Sequence, residues 1–288
     1  REHVIRVVVT SIVTVAVVVT VTLITLLFYF NHWKMFAIRR YGSQLMRGPP
    51  SPERMAAQRN KLMSSQFRFD NTDLFNVMLH MQQAPELGAH VLRGIDLASP
   101  PAGAIWVERD RAIVSLRGAH GNEELAAITD QTPVPGLVSD SAVLVHRGFF
   151  RMYSAFADSA IEFLARSRPV ELVIGGFSTG GAFAQLLAVS ILDQRRTGRI
   201  SWPLERLVVC AIGSPRVGNA MFANRLEKNE LVKVVVVVNI EDVVPLLPLG
   251  FQGYSHPKDA DVYVFARRMK NELENHVFET YTSAAESG

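Results

Sequence analysis

The sequence predicts an α/β domain with a mostly parallel central sheet, preceded by a single transmembrane helix. Two patterns support this fold class. Residues 7–30 form a run of 24 residues without a charged side chain. After Pro101, short apolar runs alternate with longer amphipathic stretches, which is typical of strands connected by helices. A chain of 288 residues is long enough to bury the full core of such a domain.

Composition excludes several classes of protein. The chain is 48% hydrophobic with ordinary counts of Gly (19) and Pro (14), which excludes collagen-like and disordered chains. A single cysteine excludes a disulfide framework and any CxxC metal or redox site. The formal net charge of +3 comes from residues 1–41, which carry +4, while the remaining residues carry −1. The basic end therefore gives no reason to expect a nucleic-acid partner.

The uncharged run over residues 7–30 predicts a membrane anchor. As a helix rising ~1.5 Å per residue it would be ~36 Å long, enough to cross a hydrocarbon core of ~30 Å. A cleaved signal peptide and a buried soluble helix are the alternatives. A signal peptide usually has an apolar region of only ~7–15 residues before a small-residue cleavage site, and neither feature is present. We expect residues 1–41 to be the anchor with its basic flank, and residues 42–52 to be a linker.

Charges around this run predict its orientation. Four basic residues follow the run closely and two precede it: Lys34, Arg39, Arg40 and Arg47, against Arg1 and Arg6. Cytoplasmic flanks carry the excess of Lys and Arg, so the large C-terminal part is expected on the cytosolic side of a single-pass membrane protein. Tyr29 and Trp33 fit an interfacial belt at that end.

The remaining residues, 53–288, are expected to form one domain. Helices are predicted over 52–66 and 72–84, before the sheet begins. The predicted strands are 103–107, 112–116, 171–175, 206–212, 231–239 and 261–266. Near-continuous apolar runs such as LVKVVVVV (231–238) suit strands that are buried on both faces of a parallel sheet.

The sequence Gly176-Phe177-Ser178-Thr179-Gly180 is the sharpest motif in the chain. It follows a predicted strand directly and precedes the helical stretch 182–192. In this context G-x-S-x-G predicts a nucleophile elbow, where Ser178 occupies a strained turn and Gly176 and Gly180 let strand and helix pass closely. The alternative is a glycine-rich turn that only packs a helix on a sheet.

A serine nucleophile needs a base to accept its proton and an acid to orient that base. α/β-Hydrolases supply them in the chain order Ser, Asp or Glu, His. Asp242 lies just past a predicted strand, with Glu241 as its near competitor. Only His256 and His276 follow Asp242 in the chain. The base is expected after the last predicted strand, which favours His276.

Six motifs give the chain a resemblance to a known family. In order they are SLRGAH (115–120), VHRGFFRMY (145–153), GGFSTGG (175–181), GSPRVGN (213–219), EDVVPLLP (241–248) and GYSH (253–256). The chain resembles fungal-type class 3 lipases over roughly residues 104–281. The resemblance implies an α/β-hydrolase fold and cofactor-free hydrolysis of acylglycerols or related lipid esters. It also implies that Ser178 is the nucleophile, Asp242 the acid and His276 the base.

The chain departs from this family around the nucleophile. The family elbow usually reads GHSLGG, whereas Phe177 and Thr179 stand here at the His and Leu positions. The position after Arg-Gly is usually Thr or Ser but is Ala119 here, so one hydroxyl donor is lost. We expect the oxyanion hole to use the backbone N–H groups of Thr179 and Ala119. Losing an oxyanion donor can cost ~10²–10³ in turnover.

The segment 122–130 lies at the lid position of the family. Its sizeable apolar side chains are Leu125 and Ile128, and the family's D-W pattern is missing. The pair Glu123-Glu124 is interpreted as a solvated helix start rather than a calcium site. No His, Asp and Glu cluster has metal-ligand spacing, so no metal is expected.

Two functions of different classes remain open. The first is a membrane-anchored serine esterase that cleaves lipid esters, with the bilayer and the lipid substrate as its partners. The second is a catalytically weak hydrolase-fold protein that serves as a membrane scaffold or lipid-binding module. A non-lipid acyl substrate, such as a thioester or peptide, is a third alternative. The oligomeric state is left open.

Overall fold

A seven-stranded sheet forms the centre of the computed structural model, which describes residues 89–95, 100–265, 269, 275–277 and 280–281. The anchor, the linker and the two helices predicted before residue 85 lie outside these residues. Within the described ranges, no helix has the length and apolar character needed to cross a bilayer.

The strands follow the apolar runs of the sequence closely. They are β1 (His90–Leu92), β2 (Gly103–Glu108), β3 (Arg111–Leu116), β4 (Pro133–Val134), β5 (Val145–His146), β6 (Glu171–Phe177), β7 (Arg206–Ile212), β8 (Val232–Asn239) and β9 (Asp261–Phe265). The six predicted strands are present with bounds that differ by at most two residues, and the strand over 206–212 is identical. Three short strands, β1, β4 and β5, were not predicted because runs of two or three residues show no period.

The large sheet has the strand order β1-β2-β3-β6-β7-β8-β9. β1, β2 and β3 pair antiparallel, while β3, β6, β7, β8 and β9 run parallel. The prediction of a mostly parallel sheet is confirmed. β4 and β5 pair separately in a two-stranded sheet.

Five helices are described: α1 (Gly121–Ile128), α2 (Arg147–Ser154), α3 (Ala157–Ser167), α4 (Thr179–Arg196) and α5 (Ala220–Glu227). Short 3-10 turns follow at Val244–Leu246 and Gly250–Gln252. α4 packs on β6 and β7, and every residue from Thr179 to Leu192 is buried. Cys210, in the middle of β7, is fully buried among core valines.

Parallel strands place the functional segments at one edge of the sheet. Ser178 directly follows β6, Asp242 follows β8, and the segment 117–120 follows β3. Leu116 at the end of β3 pairs with Gly176, one residue before the end of β6. Because the carboxyl ends of parallel strands share an edge, three segments far apart in sequence meet there.

Candidate active site

Ser178 occupies the strained turn that the G-x-S-x-G motif predicts. It lies at the N-cap of α4 with φ 57° and ψ −125°, a backbone conformation that costs a non-glycine residue free energy. Its own N–H donates to the carbonyl oxygen of Ile212 at 2.8 Å, which ties the turn to the end of β7. The side chain is thereby presented at the carboxyl edge of the sheet.

Gly176 and Gly180 make this turn sterically feasible. A Cβ atom on Gly176 would lie 2.2 Å from the carbonyl carbon of Gly180, and one on Gly180 would lie 2.1 Å from the carbonyl oxygen of Leu116. Backbone atoms cannot yield at such distances, so β3, the end of β6 and the start of α4 approach too closely for any side chain.

The structure brings the serine and the histidine together. Nε2 of His276 lies 2.7 Å from Oγ of Ser178, and Nδ1 of His276 lies 2.6 Å from Oδ2 of Asp242. Asp242 is fully buried, while the His276 side chain is 18% exposed. Both distances are those of short hydrogen bonds. A continuous hydrogen-bonded chain therefore runs from the buried carboxylate to the serine hydroxyl.

Two further groups hold the Asp242 carboxylate. The hydroxyl of Tyr281 donates to Oδ2 at 2.6 Å, and the N–H of Val244 donates to Oδ1 at 2.8 Å. Burial and the neighbouring Asp242 carboxylate raise the pKa of Tyr281 far above its usual range, so its hydroxyl remains a donor. Sequence reasoning missed Tyr281, since nothing in its spacing marks a contact with a residue 39 positions earlier.

The other candidates for the base and the acid, His256 and Glu241, make different contacts. Nε2 of His256 lies 2.6 Å from the carbonyl oxygen of Pro245. Burial, and then the nearby Arg216 cation, lower the pKa of His256 to about 4, so the neutral ring donates its N–H to that carbonyl. The carboxylate that contacts His276 belongs to Asp242, whereas the backbone N–H of Glu241 donates to the side chain of Asn239.

The loop of residues 117–120 lies against the nucleophile. A Cβ atom added to Gly118 would be 3.2 Å from Cβ of Ser178, so a side chain at residue 118 would crowd the serine. Ala119 is half-buried beside it, and the His120 side chain is exposed. Thr179, the other expected oxyanion donor, is buried as the first residue of α4.

Glu124 corrects the interpretation of the acidic pair on α1. Its side chain is only 4% exposed and binds Arg117, with Oε2 2.7 Å from Nη1 and Oε1 2.9 Å from Nη2. Glu123 is 52% exposed, as expected for a solvated helix start. The prediction was wrong for Glu124 because the bidentate hydrogen bonds from Arg117 offset the cost of burying its carboxylate. Leu125, on the same helix, is 53% exposed.

Phe177 packs directly on the proposed base. Its ring stacks on the imidazole of His276 with centroids 5.0 Å apart, and meets the edge of Tyr281 at 5.4 Å. The aromatic side chain at this departure from the family motif therefore forms one wall around the histidine. Among the described residues, no cluster of His, Cys, Asp and Glu could hold a metal ion.

Comparisons with known proteins agree with this geometry. The family model described as lipase (class 3) matches residues 113–251. The chloroplastic phospholipase A1-Igamma2 of Arabidopsis thaliana is 39% identical over 88 residues, 31% of this chain and 16% of that protein. The chloroplastic phospholipase A(1) DAD1 of the same plant is 32% identical over 160 residues, 52% of this chain and 34% of that protein. The chain thus spans about a third or less of these relatives.

A solved structure shares the fold. The lipase from Rhizopus microsporus var. chinensis superposes with a TM-score of 0.52 and 21% identity, covering 74% of this chain and 76% of that one. This likeness and the mostly parallel central sheet identify the fold as that of an α/β-hydrolase. Residues 113–251 are thus similar to the class 3 lipase family, and they lie within an α/β-hydrolase fold.

Proposed function

We propose that the chain is a serine hydrolase that cleaves carboxylic esters of lipids through an acyl-enzyme on Ser178. The observation that carries the proposal is the hydrogen-bonded chain Ser178–His276–Asp242, with links of 2.7 and 2.6 Å. Each member has the neighbour that its proposed role requires, within hydrogen-bond distance.

The chemistry begins with proton transfer from Ser178 to His276. As Oγ attacks the ester carbonyl carbon, Nε2 accepts the hydroxyl proton and the ring becomes a cation. The buried Asp242 carboxylate stabilises that cation and fixes the tautomer in which Nδ1 carries the proton. Negative charge develops on the carbonyl oxygen, where the backbone N–H groups of Thr179 and Ala119 are proposed to bind it.

Collapse of the tetrahedral intermediate releases the alcohol, which takes the proton from Nε2 of His276. The acyl group then remains on Ser178 as an ester. Water, activated by the same nitrogen, attacks that ester in the second half of the reaction and releases the free fatty acid. This cycle needs no redox group, because every step is acyl or proton transfer.

Apolar side chains beside the triad support a lipid as the acyl donor. Val243 follows Asp242 and is 40% exposed, and Val277 follows His276 and is 36% exposed. The names of the relatives, lipases and phospholipases A1, point to the same substrate class. We therefore propose an acylglycerol or phospholipid ester in preference to a thioester or peptide.

We also propose that residues 7–30 anchor the enzyme in a bilayer, with the hydrolase domain on the cytosolic side. Support comes from the uncharged run and its basic C-terminal flank. Tethering would raise the local concentration of lipid substrate. Protease treatment of sealed membranes is expected to digest the domain from the cytosolic face only. Protection of the domain, or release of the chain by carbonate, would contradict this topology.

The assembled triad favours an enzyme over a catalytically weak scaffold. A scaffold has no use for a strained serine hydrogen-bonded to a histidine whose partner is a fully buried carboxylate. The φ of 57° at Ser178 destabilises the fold, and a role of the hydroxyl in catalysis explains why this conformation is kept.

Hydrolysis by two serine variants tests the proposal. We expect Ser178→Ala to lose nearly all hydrolysis of a soluble p-nitrophenyl ester, of a diacylglycerol and of a phosphatidylcholine. Ser154→Ala, which removes an exposed hydroxyl on α2, is the matched control and should retain wild-type rates. Wild-type rates for a folded Ser178→Ala variant would overturn the serine mechanism. A wild-type protein inactive on all three esters would favour the scaffold.

A further inference from the structure

We infer that Glu124 is a positioning residue for the oxyanion hole: its carboxylate orients the Gly118–Ala119 peptide, through Arg117, so that the Ala119 N–H is aimed at the developing oxyanion. The inference rests on the proposed function, because it assigns the means by which the second oxyanion donor is held. It also accounts for how the loop is held where the usual hydroxyl is missing at residue 119.

Both oxygens of the Glu124 carboxylate accept hydrogen bonds from the loop. Oε2 accepts from Nη1 of Arg117 at 2.7 Å and from the backbone N–H of His120 at 2.8 Å, and Oε1 accepts from Nη2 of Arg117 at 2.9 Å. The pair is largely withdrawn from water, with side-chain exposures of 19% for Arg117 and 4% for Glu124. Such charge-assisted, bidentate bonds restrict geometry more than neutral ones.

Arg117 passes this restraint to one particular peptide group. Its Nη1 also donates to the carbonyl oxygen of Gly118 at 2.7 Å. That carbonyl belongs to the same planar unit as the Ala119 N–H. In a trans peptide the C=O and the N–H point in opposite directions. Fixing the carbonyl toward Arg117 therefore fixes the N–H of Ala119 away from it.

The other side of the same loop faces the nucleophile. Gly118 lies close to Ser178, since a Cβ atom added there would be only 3.2 Å from the serine Cβ. The guanidinium also donates to the carbonyl oxygens of Pro100 and Pro101, which anchors it to the chain before β2. Glu124 thus holds the loop on both sides of Ala119, through Arg117 before it and through the N–H of His120 after it.

A neutral amide cannot replace this carboxylate. In a Glu124→Gln variant, one oxygen would become an NH₂ group that faces either the Arg117 guanidinium or the N–H of His120, both donors. The charge that strengthens the remaining bond would also be lost. The Gly118–Ala119 peptide would then be free to rotate, although Ser178, His276 and Asp242 would keep their contacts.

The neighbouring glutamate provides the control. Glu123→Gln makes the same chemical change one residue away, on a side chain that is 52% exposed and lies 3.7 Å from Arg151. Glu124→Asp keeps the negative charge but shortens the side chain by one methylene, which moves the carboxylate away from Arg117. Counting active sites by stoichiometric fluorophosphonate labelling makes kcat refer to folded protein only, so that a loss of stability alone does not lower it.

We expect Glu124→Gln to lower kcat per labelled site on a soluble ester by at least about tenfold, since a displacement of ~1 Å in a reacting geometry can cost ~10². KM should stay within about twofold, because the oxyanion forms only in the transition state. Affinity for an alkyl boronic acid, whose serine adduct carries the negative oxygen, should weaken in parallel. Glu124→Asp should lie between wild type and Glu124→Gln, and Glu123→Gln should match wild type.

Equal kcat per site in Glu124→Gln and Glu123→Gln would overturn the inference, even if Glu124→Gln melts at a lower temperature. A fall in kcat with unchanged boronic acid affinity would overturn it as well, because the defect would then lie outside the oxyanion hole. An inactive and unlabelled wild-type protein would instead contradict the proposed function, so the two failures are distinguishable.

Discussion

Tyr281 donates its hydroxyl to Oδ2 of Asp242, the same oxygen that binds Nδ1 of His276, and both bonds are 2.6 Å long. The tyrosine and the histidine thus share one carboxylate oxygen as acceptor, while the N–H of Val244 donates to the other. A carboxylate held at three points has a single orientation, and the histidine takes its own orientation from it. We therefore expect Tyr281 to act as a positioning residue through Asp242.

Removing this hydroxyl should slow the chemistry. We expect Tyr281→Phe to lower kcat by about tenfold with little change in KM, because the Asp242 carboxylate gains freedom to rotate. The free energy of unfolding should fall by about 1.5–3 kcal/mol, the usual worth of a hydrogen bond to a charged group. Steady-state kinetics and urea unfolding measure the two effects.

Tyr153→Phe is the matched control. It removes another buried hydroxyl, which donates to Ser190 at 2.8 Å away from the triad. This variant should lose stability but keep its kcat. Equal kcat values for the two tyrosine variants would show that Tyr281 only stabilises the fold.

Alanine variants of His276 and His256 should differ in catalytic activity. His276→Ala is expected to abolish hydrolysis, because Ser178 loses the group that accepts its proton. His256→Ala should retain kcat and lose about 1 kcal/mol of stability with its bond to Pro245. Activity per folded protein distinguishes them. Comparable loss of kcat in both variants, with both folded, would refute the assignment of the base.

The fold should lose stability in mild acid. Burial, and then the Arg216 cation, lower the pKa of His256 from 6.5 to about 4. Burial also lowers the pKa of His146 to about 4. Between about pH 4 and pH 6.5 these two histidines are protonated in the unfolded chain but neutral in the folded chain. The stabilisation is therefore complete above about pH 6.5 and is lost as the pH falls toward about 4.

Urea midpoints at about pH 7 and about pH 5 measure this dependence. His256→Gln, which cannot take up the proton, should show a smaller fall in midpoint than wild type. His120→Gln, a change of an exposed histidine, should behave as wild type. An equal fall in His256→Gln would show that other groups cause the acid sensitivity.

Restoring a hydroxyl at residue 119 should improve turnover. Ala119→Ser adds a donor beside the Ala119 N–H, and we expect kcat on a short soluble ester to rise by up to ~10-fold, equivalent to ~1.4 kcal/mol. His120→Ala should leave kcat unchanged, because that side chain points into solvent. A large loss in His120→Ala, with no gain in Ala119→Ser, would mean that the imidazole supplies the second donor.

Local patterns were sufficient to predict the main strands of the sheet and the strained turn at Ser178. β6, β7 and β8 are near-continuous apolar runs. Glycine is needed at 176 and 180 because neighbouring backbone atoms would lie about 2 Å from an added Cβ. Chain order then placed Asp242 and His276 after the correct strands, where the structure brings them together. Such features depend on residues close in sequence or on the parallel topology itself.

Long-range polar contacts were not predictable in this way. Tyr281 reaches Asp242 across 39 residues, and no hydrophobic period marks a hydroxyl donor. Glu124 looked like its neighbour Glu123, since a charged pair at a helix start is usually solvated. Only the tertiary position of Arg117, at the end of β3, decides which of the two is buried. Which partner a charge meets depends on packing that a single sequence does not display.

The position of a covalent adduct identifies the nucleophile of this protein. The protein is incubated with a fluorophosphonate, and its mass and that of its proteolytic peptides are measured. The account predicts one adduct per chain, located on Ser178, formed slowly or not at all in His276→Ala and absent in Ser178→Ala. An adduct on another residue, or undiminished labelling of Ser178→Ala, would contradict the assignment of Ser178 as the nucleophile.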